Sequence, residues 1–495
     1  MEHLPSADTS SSSSTTTTTP LFRHLSGLDT LLELSSNRLS ALEAGTFAGL
    51  VQLRMLDLQS NRLAVLKQRA FDDLLGLQSL LLGNNPMAGD LMNSEHFARL
   101  PCLLRVHVAG AAAAAHIDQQ SSYFLNAYDL QFDFSAQNVT DAQLDLSANR
   151  LERLDKRWLG SLRLADKLVL SANRIGRVVP GTFSDMSSAR LTMLLLDHNW
   201  IEGELEAYAL SGPTSLVELR LNHNRIEWVD SRALFGLINL RYLHLQSNRI
   251  KQITDWFEPN YYLKFLDLSN NALESVTHTG STLLSQPPPP PSRLRTVWLY
   301  ANRIEQIGAS AFYALLPHLA TLDLQFNAVG AVGTLAFANC CAGLAELSLR
   351  GQRVQRLASD SFVHLANLTS LDLSANWLVS LPPHFVRCLP SLRTLNLSHN
   401  RLTESSVHGA SFEGLNDTLA FATLDLSYNL MRTLKRGIFA TFSAEHLNLS
   451  ANRLAFVEAG AFGDSGSSTL LTLRLASNRL EFVKRHFFAA TAAAG

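Results

Sequence analysis

The sequence has little cysteine and no long hydrophobic run. Its 495 residues include only Cys102, Cys340, Cys341 and Cys388, with no CxxC pair, which excludes a small disulfide-stapled domain. No uninterrupted apolar stretch reaches the roughly 18–20 residues that a membrane-spanning helix requires. The N-terminal segment MEHLPSADTSSSSSTTTTTP lacks the basic and apolar regions of a signal peptide. Its composition predicts a disordered Ser/Thr-rich tail over residues 1–27.

An excess of charge of either sign is also missing. The 41 Lys+Arg residues nearly balance the 43 Asp+Glu residues, for a net charge of −2, and no long basic run occurs. This balance predicts no nucleic-acid partner and no polybasic membrane contact. The 16 histidines form no HExxH motif, and no GxxxxGK[ST] phosphate loop is present. We therefore expect no cofactor, no metal site and no catalytic residue.

One short pattern dominates the chain: Leu-x-Leu-x-x-Asn, with conservative replacements. Its commonest period is 24 residues, as between Asn376 and Asn400, and several intervals are 23, 25 or 26 residues. The asparagines that fit the pattern are Asn37, Asn61, Asn85, Asn149, Asn173, Asn199, Asn224, Asn248, Asn271, Asn302, Asn327, Asn376, Asn400, Asn429, Asn452 and Asn478, with Gln352 in the same place once. An aromatic residue follows about ten positions later in most repeats: Phe47, Phe71, Phe183, Phe235, Phe312, Phe337, Phe362, Phe412, Phe439 and Phe462, with Trp158 once.

Each position of this pattern has a physical role. The Leu-x-Leu alternation is that of a short strand whose leucines both point inward. The turn after the strand buries backbone groups that have no partner in the sheet, at a cost of about 1–3 kcal/mol each. An asparagine amide both donates and accepts hydrogen bonds, so stacked asparagines can satisfy every turn. A fixed period in this range predicts a leucine-rich repeat solenoid.

The unit LxxLDLSxNxLxxLxxxxFxxL resembles the repeat of extracellular leucine-rich repeat proteins. Among these, it resembles the repeat of the chaoptin-like group most. It is also similar to the repeats of connectin and of Toll-like receptor ectodomains, over about residues 30–490. The resemblance implies an α/β leucine-rich repeat solenoid, a curved horseshoe with a parallel β-sheet on the concave face and short helical or irregular convex segments. We expect the array over residues 28–490, with about 18–19 repeats.

Two segments break the period. In the irregular segment 86–142, VHVAGA (106–111) and FDFSAQN (132–138) both resemble strands, yet Asn138 lies too close to Asn149 for a complete turn. Either one of the two is outside the stack or sequence is missing; we interpret the segment as a loop or a gene-model fault, with a functional insertion as the alternative. The proline run in the insertion 280–292 cannot join a strand ladder, so it predicts a spacer loop. A docking site for a proline-binding module is the alternative.

The outward residue of each Leu-x-Leu is the candidate contact position. It is Asp57, Asp145, Asp267, Asp323, Asp372 or Asp425 in six repeats, and Arg220, His244, Trp298 or Arg474 in others. Aspartate is partly the consensus residue of the repeat at this position, so part of this acidity is expected to be structural. Because exposed aromatic side chains on a rigid sheet are good contact anchors, we take Asp267, Trp298, Tyr300 and Asp323 as a candidate binding patch, with incidental surface as the alternative.

Five sequons are candidate N-glycosylation sites: Asn138, Asn367, Asn396, Asn416 and Asn448. The repeat sequence LNLS also contains such a sequon by itself, whether or not a glycan is attached. Asn396 and Asn448 occupy outward strand positions, where a glycan would block that part of the face for a partner.

Three further motifs are interpreted as structural. GDSG (463–466) resembles the serine-protease nucleophile motif with Ser465, but that chemistry needs a positioned His and Asp, so we expect a loop. His198, His223 and His399 precede ladder asparagines and are interpreted as solvated turn residues. Cys340 and Cys388 lie two repeats apart, roughly 10 Å. That is too far for a disulfide, so we expect free buried thiols.

The resemblance implies a non-catalytic, cell-surface adhesion or recognition protein with a protein ligand, bound homophilically or heterophilically. Neither end has a cysteine-rich cap, so we expect a part of a longer extracellular protein, anchored to the membrane only through segments outside this sequence. One alternative is an ectodomain fragment of a Toll-like signalling or immune receptor. The other is a cytosolic scaffold or regulatory subunit, which the missing secretion signal favours and the sequons oppose.

Overall fold

The chain folds as a parallel-strand solenoid, as the repeat predicts. The computed structural model describes residues 22–67, 69–85, 105–107, 143–149, 151–154, 156, 159, 165–187, 189–230, 232–252, 262–275, 293–307, 318–337, 341–407, 412, 420–439, 443–458, 460–462 and 470–481. Two compact units divide the chain, Met1–His244 and Leu245–Gly495.

In the first unit, the described strands form one parallel ladder. The strands are Leu31–Glu33, Met55–Asp57, Ser79–Leu81, Arg105–His107, Gln143–Asp145, Lys167–Val169, Met193–Leu195, Glu218–Arg220 and Tyr242–His244. Each strand pairs with the next in register, so that equivalent repeat positions are direct neighbours. The central leucine of each strand points inward because successive side chains alternate between the two faces.

The second unit repeats this arrangement. Its described ladder strands are Phe265–Asp267, Thr296–Trp298, Thr321–Asp323, Glu346–Ser348, Ser370–Asp372, Thr394–Asn396, Ala420–Asp425, Ser443–Asn448 and Thr472–Arg474. All of the pairings between them are parallel.

The return segments are short and mostly irregular. Described 3-10 helices are Arg23–Leu25, Ser184–Met186 and Phe385–Cys388. Small parallel pairs join Ala41–Leu42 to Val65–Leu66, Glu202–Leu205 to Arg225–Val229, Ala331–Val332 to Arg356–Leu357, and Thr433–Leu434 to Phe456–Val457.

Stacked phenylalanines fill the interior beside these segments. The rings of Phe47 and Phe71 lie 6.1 Å apart and nearly parallel, and those of Phe439 and Phe462 lie 5.8 Å apart. Phe235 is an exception, because it is 50% exposed while the preceding Leu234 is buried. Leu234 therefore occupies the aromatic slot of that repeat, and the assignment of Phe235 to this slot is wrong by one residue. Phe312 and Trp158 lie outside the described residues.

The irregular segment 86–142 contributes one described strand. Arg105–His107 pairs with Ser79–Leu81 on one side and directly with Gln143–Asp145 on the other. The strand at the start of VHVAGA is therefore the direct neighbour of the strand of the next repeat in the sheet. FDFSAQN and the proline run of 280–292 lie outside the described residues.

The asparagines of the repeat pattern, with Gln352, are called the ladder residues below, and they connect each turn with the previous one. The Asn376 amide nitrogen donates to the carbonyl oxygens of Leu373 at 3.1 Å and Ser374 at 3.2 Å in its own turn, and to that of Leu349 at 2.8 Å in the previous turn. Its Oδ1 accepts the backbone N–H of Val354, also in the previous turn, at 3.0 Å. One side chain thus satisfies backbone groups of two consecutive repeats.

The same geometry recurs along both units, in whole or in part. It is described for Asn61, Asn85, Asn173, Asn199, Asn224, Asn271, Asn302, Asn327, Asn400, Asn429, Asn452 and Asn478. Gln352 substitutes for asparagine: its Oε1 accepts the Val329 N–H at 3.1 Å and its Nε2 donates to the Leu324 carbonyl oxygen.

The residue before every ladder position adopts a left-handed backbone. Its φ lies between 52° and 57° where the residue is not glycine, and is 68° at Gly351. These residues are Ser36, Ser60, Asn84, Ala148, Ala172, His198, His223, Ser247, Asn270, Ala301, Phe326, Gly351, Ala375, His399, Tyr428, Ala451 and Ser477. A non-glycine residue in this region costs about 1 kcal/mol or more. This conformation recurs at every repeat because it points the side chain of the next residue, the ladder residue, toward the buried backbone groups.

Replacing Asn376 by alanine leaves several buried backbone groups without a partner. We expect the free energy of unfolding to fall by about 3 kcal/mol or more, measured by urea unfolding of the whole chain. Asn37→Ala is the matched control, because Asn37 holds the same ladder position but is exposed, and its described bonds reach only Leu34 and Ser35 of its own turn. An equal loss in the two variants contradicts the role of the inter-repeat bonds.

Candidate binding surface

The outward residues of the strands form a continuous row in the second unit. Strand pairing places Trp298 beside Asp267 on one side and beside Asp323 on the other. The row continues in register through Ser348, Asp372, Asn396, Asp425, Asn448 and Arg474. Residues that are 23 to 31 positions apart in sequence thus become direct neighbours on one surface.

The aspartates of this row are committed to the turns. The Oδ1 atom of Asp372 accepts the backbone N–H of Ser374, two residues on, at 2.8 Å. Equivalent bonds of 2.8–3.1 Å are made by Asp57, Asp145, Asp267, Asp323, Asn396, Asp425 and Asn448. This contact closes an Asx turn at the end of the strand. Asp and Asn are interchangeable here, since both supply the accepting oxygen.

The candidate binding patch is aromatic at its centre and is narrower than predicted. Trp298 packs edge-on against Phe265 at 4.9 Å between ring centroids and lies 6.4 Å from Tyr300. Asp267 is only 3% exposed, and its Oδ1 also accepts the hydroxyl of Ser269 at 2.6 Å. It therefore cannot contact a partner, and its inclusion in the patch is wrong.

Asp323 stays at the rim of the patch, half-buried. Its two carboxylate oxygens accept the backbone N–H and the side-chain amide of Gln325, at 3.0 and 2.6 Å. The half-buried rings of Phe265, Trp298 and Tyr300 thus lie beside one carboxylate. Sequence reasoning missed Phe265 because it lies two positions before the outward slot, on a neighbouring strand.

A second feature of the row is an open hollow of about 330 Å³, lined by Thr423, Asp425, His446, Leu447, Asn448, Thr472 and Arg474. A carboxylate and a histidine both line this hollow, but no hydrogen bond joins Asp425 to His446 among the described residues. Asp425 instead binds the Ser427 N–H at 2.8 Å and the Asn448 amide at 3.1 Å. The hollow therefore provides a contact surface with no evident catalytic pair.

The three described sequon asparagines differ in their hydrogen bonds. The Asn367 amide donates to the Ala342 carbonyl oxygen at 2.7 Å, and the Asn448 amide donates to Asp425. Asn396 accepts the Ser398 N–H at 3.1 Å, and its amide nitrogen donates to no atom of the described chain. Asn396 is therefore the described sequon whose amide nitrogen has no hydrogen bond to break, although Asn367 is the more exposed residue. Asn138 and Asn416 lie outside the described residues.

Stacked side chains also line the edge of the strands, a feature that the sequence analysis did not identify. The left-handed residues His198 and His223 stack at 4.3 Å, and His399 stacks on Tyr428 at 4.0 Å. The histidines are thus ordered turn residues with ring partners. The sequence does contain a signal for this stacking. His198 and His399 each lie immediately before an asparagine of the repeat pattern, and the equivalent position of the next repeat holds another ring, His223 or Tyr428.

The cysteines behave differently from one another. Cys388 is a free, half-buried thiol, and burial raises its pKa above the ordinary value, with the nearby Arg387 acting in the opposite direction. The free thiol of Cys388 agrees with the expectation made for it, whereas Cys341 is buried and disulfide-bonded, which the sequence analysis did not anticipate. Cys102, Cys340 and Ser465 lie outside the described residues.

Within the described part of the chain, no helix combines the length and apolar character that crossing a bilayer requires. The same residues contain no group of three or more His, Cys, Asp or Glu side chains arranged to hold a metal ion.

The Asx-turn bond gives a stability prediction that separates structure from charge. Asp372→Asn should leave the free energy of unfolding nearly unchanged, because Asn396 makes the same bond one repeat later. Asp372→Ala should lower it by about 1 kcal/mol. Thermal unfolding of the two variants measures both. If the asparagine variant loses as much as the alanine variant, the carboxylate charge, and not the turn, is what stabilises the fold.

Comparison with known proteins agrees with this geometry. Human podocan-like protein 1 is 30% identical over 380 residues, which cover 70% of this chain and 68% of that protein. Mouse podocan-like protein 1 is 31% identical over 362 residues, and the chain spans only 60% of its length. A leucine-rich repeat protein of Leptospira interrogans shares the fold with a TM-score of 0.53 at 23% identity, covering 86% of this chain and 91% of that one.

Family profiles cover the array itself. The profile described as Leucine rich repeat matches residues 16–63, 30–87, 142–201, 210–276 and 342–402. Two further profiles of the same description match residues 391–415 and 316–338. The first profile alone covers more than half of the sequence, and its matches fall on the strands and turns described above. The chain belongs to the leucine-rich repeat family.

Proposed function

We propose that this chain is a non-catalytic protein-binding scaffold of the cell surface, with adhesion or recognition as its role. The observation that carries the proposal is the in-register row of outward side chains on a rigid ladder. Such a surface suits a macromolecular partner, since it is extended and encloses no substrate. The similarity to human podocan-like protein 1 covers 70% of this chain and leaves the partner open.

In this proposal the contact centre is Trp298 with Tyr300, and Asp323 lies at its rim. Large aromatic side chains held by a rigid backbone contribute contact area at low entropic cost, which makes them frequent energetic centres of interfaces. Phe265 holds the Trp298 ring edge-on at 4.9 Å, so the indole is positioned before a partner arrives. Second copies of this chain and other surface proteins are both admissible partners.

A receptor ectodomain is the second candidate function. Toll-like receptor 3 of Bos taurus is 29% identical over 273 residues, which are 48% of this chain and 30% of that protein. A signalling receptor would need domains beyond the matched repeats. A cytosolic scaffold is the third candidate, and the location of the protein separates it from the other two.

Trp298→Ala should weaken binding of the purified chain to cultured cells at least tenfold, because it removes the aromatic centre. The melting temperature should change little, as the indole is half-buried on an outer face. Trp200→Ala is the matched control: Trp200 is an exposed tryptophan of the first unit and lies outside the patch. Unchanged binding by the Trp298 variant, or equal loss in both, rejects the patch.

A second prediction concerns the secretory route. The chain expressed behind a signal sequence should be secreted, with a mass that falls on treatment with an N-glycosidase. Asn396→Gln should remove part of that shift, since its amide makes no described hydrogen bond, while Asn448→Gln should remove less, since its amide is bonded to Asp425. Native protein recovered from the cytosol without glycan contradicts an extracellular role.

A further inference from the structure

The residues that directly follow the ladder positions of the second unit form a regular series. As far as Arg453, arginines alternate there with uncharged residues, which are Ala272, Ala328, Trp377 and Leu430. We call the arginines of this series the arginine stripe: Arg249, Arg303, Arg353, Arg401, Arg453 and Arg479. The near-neutral composition of the chain conceals this arrangement, because successive arginines of the stripe lie 26 to 54 positions apart in sequence.

A second backbone ladder holds the stripe in place. The N–H of Arg353 donates to the Val329 carbonyl oxygen at 3.1 Å, and the N–H of Trp377 donates to that of Val354 at 3.0 Å. The same bond, 2.8–3.1 Å long, occurs at every step from Ala272 to Arg479. Neighbouring turns of a parallel ladder are about 4.8 Å apart, so arginines on alternate turns lie roughly 10 Å apart. The backbone positions of the stripe are therefore fixed, and they are evenly spaced as far as Arg453.

The stripe is exposed, and the charges of its central arginines are unneutralised, whereas Glu305 and Glu481 lie two positions after Arg303 and Arg479. All six arginines are exposed, and none has a carboxylate within 4.0 Å among the described residues. The left-handed row on one side contains no acidic residue in this unit. On the other side, the position two residues after Arg353, Arg401 and Arg453 is the uncharged Gln355, Thr403 and Ala455. The central part of the stripe thus carries an uncompensated positive potential.

Aromatic rings lie at the centre of the stripe. Trp377 is 40% exposed between Arg353 and Arg401, and the Arg401 guanidinium lies 5.3 Å from its ring centroid. In the adjoining left-handed row, His399 stacks on Tyr428, which is 55% exposed. Cationic groups therefore surround a flat, partly apolar platform.

We propose that the arginine stripe binds a linear sulfated polysaccharide, whose sulfate groups pair with successive arginines while one sugar ring lies on Trp377. Planar guanidinium groups bind tetrahedral oxyanions through two parallel hydrogen bonds. Such a polysaccharide repeats its charged groups once per disaccharide, a length comparable to the spacing of alternate turns. The small residues Ala272 and Ala328 leave room for the uncharged part of each repeat.

The spacing disfavours nucleic acid as the ligand. A duplex strand carries a phosphate about every 3.4 Å, so most phosphates would have no arginine opposite them. Base recognition by stacking uses several aromatic side chains in succession, whereas Trp377 is the single tryptophan of this series. The proposal is independent of the protein-binding patch at Trp298, which lies on the strand face.

The test compares two triple variants of the whole chain on immobilised heparin. Arg353→Gln, Arg401→Gln and Arg453→Gln together should weaken binding at least tenfold at physiological salt. The slope of log affinity against log salt should also fall, by up to about one for each arginine that no longer pairs with a sulfate. The control triple, Arg295→Gln, Arg387→Gln and Arg393→Gln, removes the same charge from exposed residues outside the stripe. It should retain most of the affinity.

Three further arms make the outcome decisive. Affinity should rise with heparin oligosaccharide length until the fragment spans the stripe, roughly 40 Å for nine steps, and then level off. Trp377→Ala should weaken binding several-fold without changing the salt slope, whereas Trp298→Ala should leave heparin binding unchanged. Equal loss in the two triples, absence of heparin binding in the parent chain, or tighter stripe-dependent binding of single-stranded RNA each overturns the proposal.

Discussion

The structure depends on one constraint: the backbone groups buried at each turn must find hydrogen-bond partners. A strand of three residues satisfies few of its own groups, and the turn that follows satisfies fewer. The amide of Asn376 resolves this by bonding backbone groups in its own repeat and in the previous one. Because the equivalent side chains after the first repeat span two repeats in the same way, a repeat is not complete without its neighbour, and the array folds by stacking.

This constraint decides which residues remain available for binding. The turn occupies the ladder residue, the left-handed residue before it and the aspartate that closes the Asx turn. Much of the acidic character of the strand face is therefore structural, as Asp372 and Asp425 show. What remains variable are the outward aromatic residues, such as Trp298, and the position after each ladder residue. The binding chemistry that we propose lies at those two positions.

The two surfaces of the second unit offer different physical interactions. The patch at Trp298 is a compact aromatic group beside a single carboxylate, which fits a desolvated protein contact. The arginine stripe is extended, wet and positively charged, which fits a polyanion whose affinity depends on salt. Both are built on backbone ladders, so the backbone of neither surface needs to become ordered when a ligand binds.

The sequence by itself determined the solenoid, its period and the ladder positions, because a buried turn leaves few alternatives to an asparagine amide. It also indicated a strand in VHVAGA, as one of two alternatives in that segment. Only the tertiary structure decided that Asp267 is buried, that Leu234 and not Phe235 fills the aromatic slot, and that Cys341 is bonded. These outcomes depend on local packing and on contacts across repeats, which a repeat pattern does not encode. The arginine stripe likewise exists only through register, since backbone bonds between turns bring arginines 26 to 54 residues apart into one line.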